Sequence, residues 1–188
     1  MEDVEIIKRI VAAEAVKRVE TEYEFVVGGT TYKLEAREFE PGFSIFVPES
    51  FENMAIEYAK LKYPYEDRPS IILTSADTIV NIAFERTGVQ GDTIESRLPK
   101  YRAWVKKINP NYVFFSENIN ESEYGLKIAS FDYSGNAADG DVYYLSFFTD
   151  LPDGELFGWF SCPSHMQANW EPIARRMIKT LKPLMSEV

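Results

Sequence analysis

Two stretches in the second half of the chain limit the possible folds more than any other feature. In Val142-Tyr143-Tyr144-Leu145-Ser146-Phe147-Phe148 and in Leu156-Phe157-Gly158-Trp159-Phe160, both alternating sets of side chains are largely apolar. A strand with one wet face alternates polar with apolar residues, so a strand apolar on both sides has to be covered on both sides. Turn-forming residues at 135–141 and 150–154 separate these runs from each other and from the run at 125–134. Such short connections join strands antiparallel. Helices must then lie above and below that sheet.

The rest of the chain supplies them. Val4, Ile7, Val11, Ala15 and Val19 fall at helical spacing in a segment free of Gly and Pro, which predicts an N-terminal helix over 2–20. Phe51, Met54, Ala55, Tyr58 and Leu61 predict a second helix, N-capped by Ser50 and ended at Tyr63-Pro64. Ile94, Leu98, Tyr101, Trp104, Val105 and Ile108 predict a third, capped by Asp92 or Thr93. Pro99 should start or kink it. Met166, Trp170, Ile173, Met177 and Leu181 mark the last, at 164–181. Strands are expected at 23–27 and 31–34 around Gly28-Gly29, then at 43–47, 71–74, 78–84 and 112–116. The expected fold class is α+β. It is a three-layer α/β/α sandwich around a mainly antiparallel sheet, with an N-terminal helix, in one domain over residues 1–188.

Some segments match a known pattern. They are Gly42-Phe43-Ser44-Ile45-Phe46-Val47-Pro48, then Lys62-Tyr63-Pro64 with Arg68-Pro69, then Gly158-Trp159-Phe160-Ser161-Cys162 followed by Trp170. From Phe39 to Leu181 the chain resembles the Mog1/PsbP-like fold family, which includes the DcrB-like proteins and the adaptor chaperones of type VI secretion; residues 1–20 would be a helical extension. The resemblance implies a mostly non-enzymatic role, since such proteins bind a small GTPase, support photosystem assembly or shield apolar segments. It carries over no catalytic residue, and fold alone does not fix function.

Charge narrows the functional classes. The chain has 20 Lys+Arg against 30 Asp+Glu, a net of −10. That balance argues against a nucleic-acid backbone as ligand, which needs clustered cations. No apolar run reaches the roughly 18 residues that predict a membrane-spanning helix. The acidic start Met1-Glu2-Asp3-Val4-Glu5 lacks a signal pattern, so a cytoplasmic location is expected. No cofactor or metal site is legible. Asn136-Ala137-Ala138-Asp139-Gly140-Asp141 looks superficially like a calcium loop, but Ser146 stands where the bidentate Glu belongs, and a hairpin turn explains it.

The acids are unevenly spread. Residues 109–155 hold nine carboxylates (Glu117, Glu121, Glu123, Asp132, Asp139, Asp141, Asp150, Asp153, Glu155) and one lysine, Lys127, for −8 of the total. Arg97, Lys100, Arg102, Lys106 and Lys107 cluster before them, and Arg175, Arg176, Lys179 and Lys182 after. The expectation is a non-catalytic interaction module or adaptor. It would bind a protein partner, basic or apolar in character, through an acidic, aromatic-rich β-region centred on Glu117, Glu121, Glu123, Tyr124 and Tyr143. The alternative is a thiol-dependent enzyme or redox sensor built on the lone Cys162, with His165 three positions on, where a helix N-terminus lowers a thiol pKa.

Overall fold

A computed structural model describes residues 23–184, apart from positions 41, 65, 67, 89, 138 and 139. The helix expected at 2–20 lies outside the described residues. The architecture is α+β, with two antiparallel sheets and, among the described residues, three α-helices.

Glu24–Val27 (β1) and Thr30–Phe39 (β2) form the expected hairpin. Gly28 and Gly29 take φ of +57° and +84°, a region costly for residues with a Cβ. Phe43–Pro48 (β3) follows, and Glu52–Asn53 (β4) is a short edge strand. Helix α1 spans Ile56–Lys62, and strands Ile71–Thr74 (β5) and Asn81–Thr87 (β6) pair antiparallel after it. Helix α2 runs from Ile94 to Ile108, with the Thr93 hydroxyl accepting from the Ser96 N–H. It begins five residues before Pro99, so that proline does not start it.

Four long strands come next: Val113–Glu121 (β7), Lys127–Ala137 (β8), Gly140–Leu151 (β9) and Gly154–Pro163 (β10). A 3₁₀ turn at Ser164–Met166 leads into helix α3, Gln167–Lys179, and Lys182–Pro183 (β11) closes the described chain. The larger sheet has the order β4-β5-β6-β10-β9-β8-β7, and the smaller has β1-β2-β3-β11.

The doubly apolar strands sit where their composition requires, at the middle of the larger sheet. One face carries Tyr143, Leu145 and Phe147 of β9 with Leu156, Phe160 and Cys162 of β10. Against it pack Trp170, Ile173 and Met177 of α3 together with Phe43, Ile45 and Val47 of β3. The other face carries Ala129, Phe131, Tyr133 and Phe148 under Ile94, Leu98 and Val105 of α2. Ile72 and Ala83 lie there beneath Met54 and Ala59. Gly158 faces Phe147 across the ladder, and a Cβ there would overlap the ring.

One expected helix is shorter than its pattern. Phe51 and Met54 are buried, but not as turns of a helix. Glu52 and Asn53 pair with Thr74 and Leu73 at the sheet edge, and α1 starts only after Ala55, without a side-chain cap from Ser50. The predicted stripe therefore splits, and Tyr58 and Leu61 are left exposed. Strand pairing and core burial of Phe51 outweigh a modest helical preference.

Candidate protein-interaction surface

The fold brings the acidic strands and the basic helices together. Arg97 of α2 bonds Glu155 at 2.6 Å and Asp150 at 2.7 Å. Glu155 is fully buried and also accepts from the Tyr101 hydroxyl. Burial pushes the Glu155 carboxyl above its ordinary range, against the pull of Tyr101 and Arg97. Arg175 of α3 meets Asp132 at 3.1 Å and Glu171 at 2.9 Å. Arg176 pairs with Glu123 at 2.5 Å, and Arg102 with Glu117 at 3.2 Å. The carboxylates that made residues 109–155 look like one acidic surface are thus largely answered from within the chain.

The Asp132 cluster shapes the sheet edge. β7 and β8 shift register between Phe114 and Glu117, which marks a bulge. There the Ser116 N–H and hydroxyl both donate to Asp132 Oδ1, at 2.8 and 2.7 Å. Asp132 is held in place by Arg175 and by the Tyr143 hydroxyl at 3.1 Å. A buried ionic network so placed fixes local conformation more than it adds stability.

Tyr143 corrects an expectation. It is fully buried, because it lies on the covered face of β9 and not at the surface. Glu117, Glu121, Glu123 and Tyr124 are exposed on β7 and the turn that follows, with Glu117 and Glu123 paired as above. The Lys182 ammonium sits 5.4 Å from the Tyr124 ring centre. Cys162 is buried at the end of β10, and desolvation pushes its thiol up to about 12. That is the opposite of what a nucleophile needs. His165 is exposed in the 3₁₀ turn. Folded protein at pH 7.5 should therefore react with iodoacetamide only as fast as it unfolds, read by mass spectrometry with and without denaturant. Prompt labelling in native buffer would revive the thiol reading.

Several surface residues carried no strong signal in the sequence. Val113, Phe115 and Ile119 of β7 are exposed, as are Trp104 and Ile108 of α2. Among the described residues β7 is the last strand of the larger sheet, and all its residues except Phe114 are exposed. Beside it is a cleft of about 600 Å³ lined by Pro99, Arg102, Ala103, Lys106, Tyr112, Val113 and Phe114. The Arg102 and Lys106 cations lie 5.0 and 5.9 Å from the Phe114 ring centre. The irregular run Val113-Phe114-Phe115-Ser116-Glu117 was the available hint, since a bulge breaks period-two alternation. Among the described residues no cluster of three or more His, Cys, Asp or Glu is arranged to hold a metal ion. No described helix is long and apolar enough to cross a membrane.

No protein-family model matches the sequence, and no curated protein matches it. Solved structures do. Cyanobacterial PsbP (CyanoP) from Synechocystis sp. superposes with a TM-score of 0.59 at 9% identity, covering 84% of this chain and 96% of that one. The Saccharomyces cerevisiae Ran-binding protein Mog1p gives 0.53 at 9% identity, covering 80% and 95%. At this identity the likeness speaks to architecture alone, and on that ground the chain has a Mog1/PsbP-like fold.

Proposed function

We propose that the chain is a non-catalytic protein-interaction module whose partner contacts the β-region around β7. We read its frame as an α/β/α sandwich: α1 and α2 on one side of the larger sheet, α3 joined by the smaller sheet on the other. The observation that carries the proposal is the nine-residue edge strand β7, exposed along its length and studded with Val113, Phe115 and Ile119. An edge strand has unpaired backbone donors and acceptors, and exposed apolar residues beside it mark a contact site more often than a bare surface. The Asp132–Arg175–Tyr143 network supports the same reading, because it holds Ser116 in the bulge between Phe114 and Glu117 with buried polar groups. Mog1p is named for binding Ran, which places a protein partner on one example of this fold and no residue on this chain.

The test is affinity capture from native lysate with Phe115→Glu plus Ile119→Glu. Both side chains are exposed, so the melting temperature should hold within a few degrees, while the specific partner is lost. Capture at wild-type levels by the folded double variant would remove β7 from the contact surface.

A further inference from the structure

We propose that β7 accepts an extended, acidic peptide segment as an added strand, with an apolar side chain of that segment seated in the cleft between β7 and α2. This rests on β7 being the contact surface and names the partner's chemistry.

Three observations converge. The first is the open ladder. Among the described residues β7 pairs with β8 on one side only, so its other edge can hydrogen-bond a second backbone. The second is the cleft. The Tyr112 and Phe114 rings and Pro99 give it apolar walls, with ample room for a large aliphatic or aromatic side chain. The third is charge. The cleft is lined by two cations, Arg102 and Lys106, and by no carboxylate, while Glu117, paired with Arg102, and Glu121 stand farther along the same face of the strand. Lys106 donates to the Tyr112 carbonyl at 2.6 Å, and among the described residues it forms no salt bridge. Lys100 is taken up by Asp92, and Lys127 by Glu95. A chain of net charge −10 thus presents a locally positive cleft beside an open strand edge. A carboxylate-bearing segment meets complementary charge there, whereas a basic one does not.

A second copy of this chain is the poorer occupant. Both molecules would carry the same large negative charge. Antiparallel self-pairing centred on Glu117 or on Ile119 would set β7 glutamates opposite one another, a destabilising arrangement. The bulge and the two β7 glutamates act as guards against such pairing.

The test uses the full chain and synthetic peptides in calorimetric titrations. The probe is acetyl-Glu-Val-Glu-Phe-Glu-Val-Glu-amide, beside its counterpart with Lys for every Glu and versions N-methylated at alternate residues in either phase. The acidic peptide should bind at least about tenfold more tightly than the basic one. N-methylation in one phase should abolish binding, because it removes the donors a strand ladder needs. Hydrogen exchange should slow at β7 amides. Lys106→Glu, at an exposed position, should erase the preference for acid; Lys106→Gln, which removes the charge without reversing it, serves if the first variant folds poorly.

Equal affinity for both peptides, full binding by both N-methylated forms, protection away from β7, or dimerisation in place of binding would each overturn the proposal. If no peptide binds while Phe115→Glu plus Ile119→Glu still abolishes native capture, the added-strand inference falls and the contact surface stands. If that double variant also captures normally, both fall.

Discussion

Replacing Arg97 with leucine should destabilise the protein by about 3–5 kcal/mol at neutral pH, because it leaves Glu155 ionised and buried without its counter-charge. Few single changes outside the apolar core reach that size. Arg97 is buried between α2 and the β9–β10 hairpin, and its guanidinium holds both Glu155 and Asp150. Asp150 is half exposed and can turn to water, but Glu155 cannot. The Tyr101 hydroxyl remains as a donor to it, yet supplies no positive charge.

The pH dependence follows from the direction of the shift. The folded Glu155 pKa lies above its ordinary value of 4.5, burial being the largest cause. Between that value and the folded pKa the native state binds more protons than the unfolded state, so stability falls as pH rises through the window. Removing Arg97 removes one of the influences that lower this pKa, so the folded value climbs and the window widens. The deficit of Arg97→Leu should therefore be smaller at pH 4.5 than at pH 7, in denaturant titrations at both. Adding Glu155→Gln should restore part of the loss at pH 7. An identical deficit at both pH values would instead assign the cost to packing, since Arg97 also lies 5.5 Å from the centre of the Phe148 ring.

Trp170→Ala should be comparably severe, at about 3–5 kcal/mol for a large buried aromatic reduced to a methyl. Trp170 is completely buried at the junction of α3, the smaller sheet and β10. Its ring meets Tyr32 at 4.9 Å edge-on, Phe51 at 5.8 Å and Phe160 at 6.0 Å. For a chain of this size that loss corresponds to a fall in Tm of roughly 6–20 °C in a thermal melt. Trp170→Phe should cost much less, because among the described residues the indole Nε1 has no hydrogen-bond partner to lose. A phenylalanine variant as unstable as the alanine one would show that ring volume is not the quantity that matters.

Much of the scaffold was legible because local chemistry dictates it. Gly28-Gly29 announced a hairpin through the positive φ they tolerate. Asp92-Thr93 announced a helix start, and the Thr93 hydroxyl is the one that caps it. The candidate surface was legible only in part. Glu117, Glu121, Glu123 and Tyr124 are on or just after the exposed edge strand, but Tyr143 belongs to the core and its hydroxyl serves Asp132. Alternation in β9 was apolar on both sides, so nothing local marked which tyrosine would face out. Cys162 preceded a helical turn as a reactive thiol would, yet burial rather than position sets its chemistry.

The sequence by itself determined the antiparallel run of strands and the need to cover both faces of β9 and β10, since an apolar residue on either side of a strand cannot be left wet. Only the tertiary structure decided that a second sheet would share one of those faces with α3. It also decided that Phe51 would enter the core without helix around it, and that the acidic segment would be neutralised from α2 and α3. Arg97 and Glu155 are 58 positions apart. Periodicity reports what each residue wants of its surroundings, whereas pairing depends on which distant elements the chain folds against one another. For that reason the strand run that is most acidic in sequence lies, once folded, beside a positively charged helix.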